Sequence, residues 1–71
     1  MPMLKARDVI RVLRSLGFID VRQTGSHIFF QHSDGRTTLV PYHGGEDIGR
    51  GLLRKILTEI ELTPQEFLKL L

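Results

Sequence analysis

The chain has no cysteine and three histidines, His27, His32 and His43, so proton transfer near neutral pH falls to imidazole. The missing cysteines exclude thiolate zinc sites, iron–sulfur clusters and a cysteine nucleophile. The histidines lack the i, i+4 spacing of a helical zinc site, and no Asp or Glu joins them in a ligand motif. No metal and no other cofactor is therefore expected. His27 stands apart because Gly25-Ser26 places it at the entry to a strand, where backbone amides and a hydroxyl lie outside the ladder. Such a corner can hold a phosphate while the imidazole works on it. The bland reading of the same residue is a strand histidine with a satisfied ring. His32, ahead of a hairpin turn, reads as a surface strand residue. His43 lies in a Gly-rich loop before a helix that begins near Ile48. The N-terminus of that helix, with Arg50, Arg54 and Lys55 nearby, can attract an anion. Against this, Arg50 and Arg54 also fit an ordinary solvated i, i+4 row.

The elements that must position these residues follow from spacing. Leu4, Val9, Ile10, Val12, Leu13 and Leu16 fall mainly on one face of a helix over 4–16, which Gly17 terminates at C′. Arg7, Arg11 and Arg14 form a stripe on roughly the opposite face, read first as a solvated surface. Phe18–Gln23 suits a short strand, Thr24-Gly25-Ser26 a turn, and His27–His32 a second strand. Asp34-Gly35 marks a tight hairpin, so Arg36–Val40 returns antiparallel until Pro41 stops it. Tyr42–Glu46 is a loop. Asp47 is expected to cap a helix carrying Leu52, Leu53, Ile56, Leu57 and Ile60. Thr63-Pro64-Gln65-Glu66 then starts a last short helix running to Leu71, with Thr63 as cap, Pro64 at N1, Glu66 closing a capping box and Leu62 stapled on Phe67. This order predicts an α+β fold, a two-layer α-β-β-β-α sandwich with its helices on one side of the sheet and a short C-terminal helix. Alternation along the second strand puts Phe29 and Phe30 on opposite faces and leaves open which one is exposed.

Seventy-one residues make one domain, 1–71, which buries only about 60% of the surface of its unfolded chain. The balance of 41% hydrophobic and 25% charged residues is that of a chain that folds by itself. No apolar run approaches the roughly 18 residues of a membrane span, and charge arrives too early for a signal peptide. With no cysteine, a cytoplasmic location is the natural expectation. Charge is uneven: net +3 over residues 1–45 and −1 over 46–71. A basic front permits nucleic acid as a partner without demanding it.

The ordered set Gly25-Ser26-His27, Asp34-Gly35-Arg36, Val40-Pro41-Tyr42-His43, then Ile48, Gly51 and Leu53 through Ile56-Leu57, resembles the HicA family of bacterial and archaeal toxins. The similarity runs from about Lys5 to the end of the chain. It departs at Gly49 and Leu52, where many relatives carry Pro and Thr. The resemblance implies a fold related to the double-stranded-RNA-binding domain and the toxin role of a type II toxin–antitoxin system. It also implies an endoribonuclease acting on mRNA, with His27 catalytic, and a HicB-type antitoxin as partner. RNA contacts are expected from Gly25, Ser26, Lys5, Arg7, Arg22, Arg36, His43, Arg54 and Lys55. The antitoxin is expected to cover the rim carrying His27, with Phe29 or Phe30 as its apolar anchor. The alternatives are a non-catalytic RNA-binding domain and a protein-interaction module.

Overall fold

The first helix begins later than its apolar spacing suggests. In the computed structural model, which describes residues 3–43 and 45–71, Leu4 and Lys5 form a two-residue strand, β1, ahead of helix α1 (Ala6–Ser15). There follow strands β2 (Ile19–Thr24), β3 (His27–Gln31) and β4 (Thr37–Pro41), a short strand β5 (Asp47–Ile48), and helices α2 (Arg50–Ile60) and α3 (Pro64–Leu68). Strands β2-β3-β4 make one antiparallel sheet in that order, while β1 and β5 pair separately, Leu4 with Ile48 and Lys5 with Asp47. Asp47 therefore does not cap a helix. It lies in β5 with its carboxylate 2.9 Å from Lys5 Nζ, and the N-cap of α2 is Gly49, which offers no side-chain cap. The Gly44 position of the preceding loop lies outside the described residues.

Strand register settles the two phenylalanines. Ile28 and Phe30 face the helices opposite Val40 and Thr38, and His27, Phe29 and Gln31 face away opposite Pro41, Leu39 and Thr37. A bulge between Asp20 and Arg22 makes Val21 an extra residue. It lets Asp20 sit opposite Phe30, where Arg14 of α1 reaches it at 3.6 Å, while Arg22 sits opposite Phe29. Phe30 is 1% exposed and joins Val9, Leu13, Val40, Leu53, Ile56 and Phe67 in the core. Phe29 is half-buried on the outer face with the Arg22 guanidinium 4.5 Å from its ring centre. Pro41 does not stop β4 but closes it. The Tyr42 N–H donates to Ser26 O at 2.6 Å, so Pro41 occupies a non-bonded position where no N–H is needed.

Helix ends follow local chemistry. At Gly17 (φ 99°) the Phe18 N–H reaches Leu13 O and the Gly17 N–H reaches Arg14 O, a Schellman close in which Phe18 folds onto Leu13. A Cβ at Gly17 would also lie 3.1 Å from His32 Nε2. Helix α2 ends the same way at Glu61, whose φ of 61° is unusual for a residue with a side chain. The capping box at Thr63 and Glu66 forms with both bonds present, and α3 ends at Leu68 rather than running to Leu71.

Candidate active site

The β2–β3 connection is a two-residue turn in which Thr24 pairs with His27 and Gly25 takes a φ of 60°, while Ser26 does not turn positive. That is the pattern of a type II′ hairpin, which demands glycine first. The turn carries the Ser26 hydroxyl and the exposed His27 imidazole to one end of the sheet. The chain leaving β4 returns to the same end. There the Tyr42 N–H extends the ladder by one bond, and His43 Nε2 lies 3.3 Å from Ser26 Oγ. Gly25, Ser26, His27 and His43 are thus brought together.

Two clefts open beside this end. The smaller, about 120 Å³, is lined by Lys5, Ala6, Arg7, Tyr42 and Gly45. The larger, about 530 Å³, runs between α1 and the sheet, with Arg7, Arg11 and Arg14 on one wall and Gln23, Ile28 and Tyr42 on the other. The arginine stripe read as a solvated face therefore walls a groove. Its i, i+4, i+7 spacing was the signal, but only the sheet's position shows what the stripe faces. Arg11 and Arg14 make loose exposed pairs with Asp8 (3.7 Å) and Asp20 (3.6 Å), which a phosphate can displace. Tyr42, 41% exposed and lining both clefts, offers a ring face to a nucleobase.

The remaining residues expected to contact RNA are dispersed. Lys5 lines the smaller cleft but is held by Asp47 and by Gly45 O at 2.7 Å. Arg22 lies on the outer sheet face over Phe29. Arg54 and Lys55 are exposed on α2 and line neither cleft. Arg36 is at the opposite end of the sheet, engaged by its own chain. It donates through Nη1 to Ile60 O at the end of α2 and through Nε to Asp34 at 2.8 Å, and its guanidinium lies 5.2 Å from the Phe18 ring centre. The same contacts hold the Asp34 carboxyl below the usual range, chiefly through the Arg36 backbone N–H. His32, read as a surface strand residue, is half-buried. Its Nε2 bonds Leu16 O at 3.1 Å, Asp34 N–H donates to its Nδ1, and its ring packs edge-on against Phe18.

Among the described residues no three His, Cys, Asp or Glu side chains gather as a metal site would require, and no helix is long and apolar enough to cross a membrane. No curated protein matches the chain. The family model described as the HicA toxin of bacterial toxin–antitoxin matches residues 6–62, which include α1, the whole three-stranded sheet, the histidine-bearing end and α2. With the α-β-β-β-α order, the Gly25-Ser26-His27 turn and a match over most of its length, this chain belongs to the HicA toxin family.

Proposed function

We propose that this toxin is a metal-independent endoribonuclease that cleaves mRNA, with His27 as a proton-transferring group at the scissile phosphate. The observation that carries this reading is the convergence of His27, Ser26 and His43 at one end of the sheet, with the arginine-walled groove alongside on the helix-facing side and Tyr42 lining it next to His43. RNA brings its own nucleophile, the 2′-OH, so a protein need only move protons and steady charge on the phosphorane. Arg7, Arg11 and Arg14 supply cations to a backbone laid in the groove. Tyr42 stacks a base, which favours single-stranded over duplex RNA. Gly25 and Ser26 present the turn to the phosphate, with Lys5 beside Tyr42. Arg22, Arg54 and Lys55 add outlying positive charge. The work takes place in the cytoplasm, where mRNA is found. A HicB-type antitoxin silences the toxin by covering the His27 rim, with Phe29 as the apolar anchor, since Phe30 is wholly interior.

The test incubates the purified chain and His27→Ala with mRNA in EDTA. Wild type should cut, leaving 2′,3′-cyclic phosphate ends, and the variant should bind RNA with near-normal affinity and leave it intact. Binding without cutting by the wild type would make the domain a non-catalytic RNA binder. Activity that EDTA abolishes and added metal restores would overturn the metal-free mechanism.

A further inference from the structure

We propose that His43 is the second proton-transferring group of this site, the acid that protonates the leaving oxygen, and that Ser26 positions it. The inference rests on the nuclease reading above. When the 2′-oxygen bonds to phosphorus and the P–O5′ bond breaks, the 2′ proton must go to a base and O5′ must take a proton from an acid. The products are a 2′,3′-cyclic phosphate and a 5′-hydroxyl. The two oxygens lie on opposite sides of phosphorus, so two groups serve better than one.

The ladder supplies the second. Pro41 is opposite His27, and the Tyr42 N–H to Ser26 O bond carries the pairing one residue further. His43 is then the diagonal neighbour of His27, a relation that sets two residues about 7–8 Å apart with their Cβ atoms somewhat closer. Two imidazoles at that separation can flank a phosphate. Tyr42, next to His43 in sequence, lines the groove beside the site.

The Ser26 hydroxyl decides which nitrogen works. With Oγ 3.3 Å from Nε2, a protonated His43 donates its Nε2–H to Ser26 and presents the Nδ1 proton outward. Delivering that proton to O5′ leaves a neutral ring whose remaining hydrogen is still held by Ser26, so the side chain need not turn during the step. His27 takes the 2′ proton. The charged groups around His43 are His27 across the ladder, Lys5 and Arg7 in the adjoining cleft, Asp47 paired with Lys5, and Glu46, whose N–H donates to His43 O at 3.0 Å.

The experiment compares wild type, His27→Ala, His43→Ala and Ser26→Ala on two single-stranded oligoribonucleotides. One is unmodified, and the other has sulfur replacing the 5′-bridging oxygen at the scissile linkage, so that a thiolate leaves without being protonated. His43 is exposed, and circular dichroism should show His43→Ala folded as the wild type. On native RNA it should lose about 10²–10⁴-fold in rate. On the thio-substituted RNA it should come within a few-fold of wild type, whereas His27→Ala fails on both. Ser26→Ala should show a smaller loss of the His43 kind. The bell-shaped pH profile of the wild type should lose its alkaline limb in His43→Ala, because that limb reports the acid giving up its proton. Native RNA cleaved at the wild-type rate by His43→Ala, or equal losses on both substrates, would overturn the assignment. A wild type inert on both would refute the nuclease reading itself.

Discussion

Replacing Arg36 by alanine should damage the fold and spare RNA binding, the reverse of what its place in the basic front suggests. The side chain is 24% exposed and ties the β3–β4 hairpin to the last carbonyl of α2. A hydrogen bond from a charged donor contributes about 1.5–3 kcal/mol, and a cation over an aromatic face about 0.5–1 kcal/mol where solvent reaches it. The Asp34 contact is solvent-screened and is left out of that sum. A loss of about 2–4 kcal/mol follows, which in a domain of this size lowers Tm by roughly 8–30 °C. Thermal and urea unfolding followed by circular dichroism measure it, with RNA affinity determined on the same preparation below the transition. Arg36→Lys should recover only part of the loss, because an ammonium cannot serve Ile60 O and Asp34 with the fixed fork of a guanidinium. Unchanged Tm together with weakened RNA binding would show Arg36 to be a phosphate contact and the bracing argument to be wrong.

Glu61→Gly should raise stability by about 0.5–1 kcal/mol, because glycine accepts the left-handed φ without steric cost and this outweighs its greater chain entropy; urea midpoints check it. Thr63→Ala should cost about 0.5–2 kcal/mol by removing the N-cap of α3, with cleavage unaffected below the transition. Asp34 and Glu66 both titrate below their ordinary values of 3.8 and 4.5, held there by the backbone N–H groups of Arg36 and Thr63. Their stabilisation is present above those values and is lost as pH falls through the lowered ones, so Tm should drop on acidification below about pH 4.5, less steeply in Asp34→Asn. RNA affinity should fall with salt, and each of Arg7→Gln, Arg11→Gln and Arg14→Gln should flatten the log–log slope by about 0.7 if the groove carries phosphates.

The features legible from the chain were those written in neighbouring residues. The Schellman close at Gly17, the Asp34-Gly35 hairpin and the Thr63–Glu66 box each depend on a few consecutive side chains, and each formed. What is not legible involves partners far apart. Leu4 and Lys5 continue the apolar spacing of α1, yet pairing with Ile48 and Asp47, some forty residues on, pulls them into a strand. The bulge at Val21 is visible only once Asp20 has Arg14 to meet and Arg22 has Phe29 to cover. His32 and Arg36 look like surface residues of a hairpin because the carbonyls they bind belong to Leu16 and Ile60, on helices elsewhere in the chain. The site was half-legible for the same reason. Gly25-Ser26-His27 is a local signal, whereas the contact of Ser26 with His43 spans seventeen residues and needs the whole sheet to form it.

The hairpin that joins β3 to β4 holds the C-cap carbonyl of α1 and the last carbonyl of α2, through His32 and Arg36, while the proposed chemistry sits at the far end of the same strand. Five residues of strand separate the two, roughly 15 Å, which is beyond the 7–10 Å within which substitutions usually couple. Changes at Ser26, His27 or Tyr42 should then alter what is cut, and which inhibitor fits, without drawing on the stability of the scaffold. A lineage of toxins on this frame can drift away from a rival's antitoxin by rewriting one tip of the sheet, and selection can act on that tip independently of the clasp at the other.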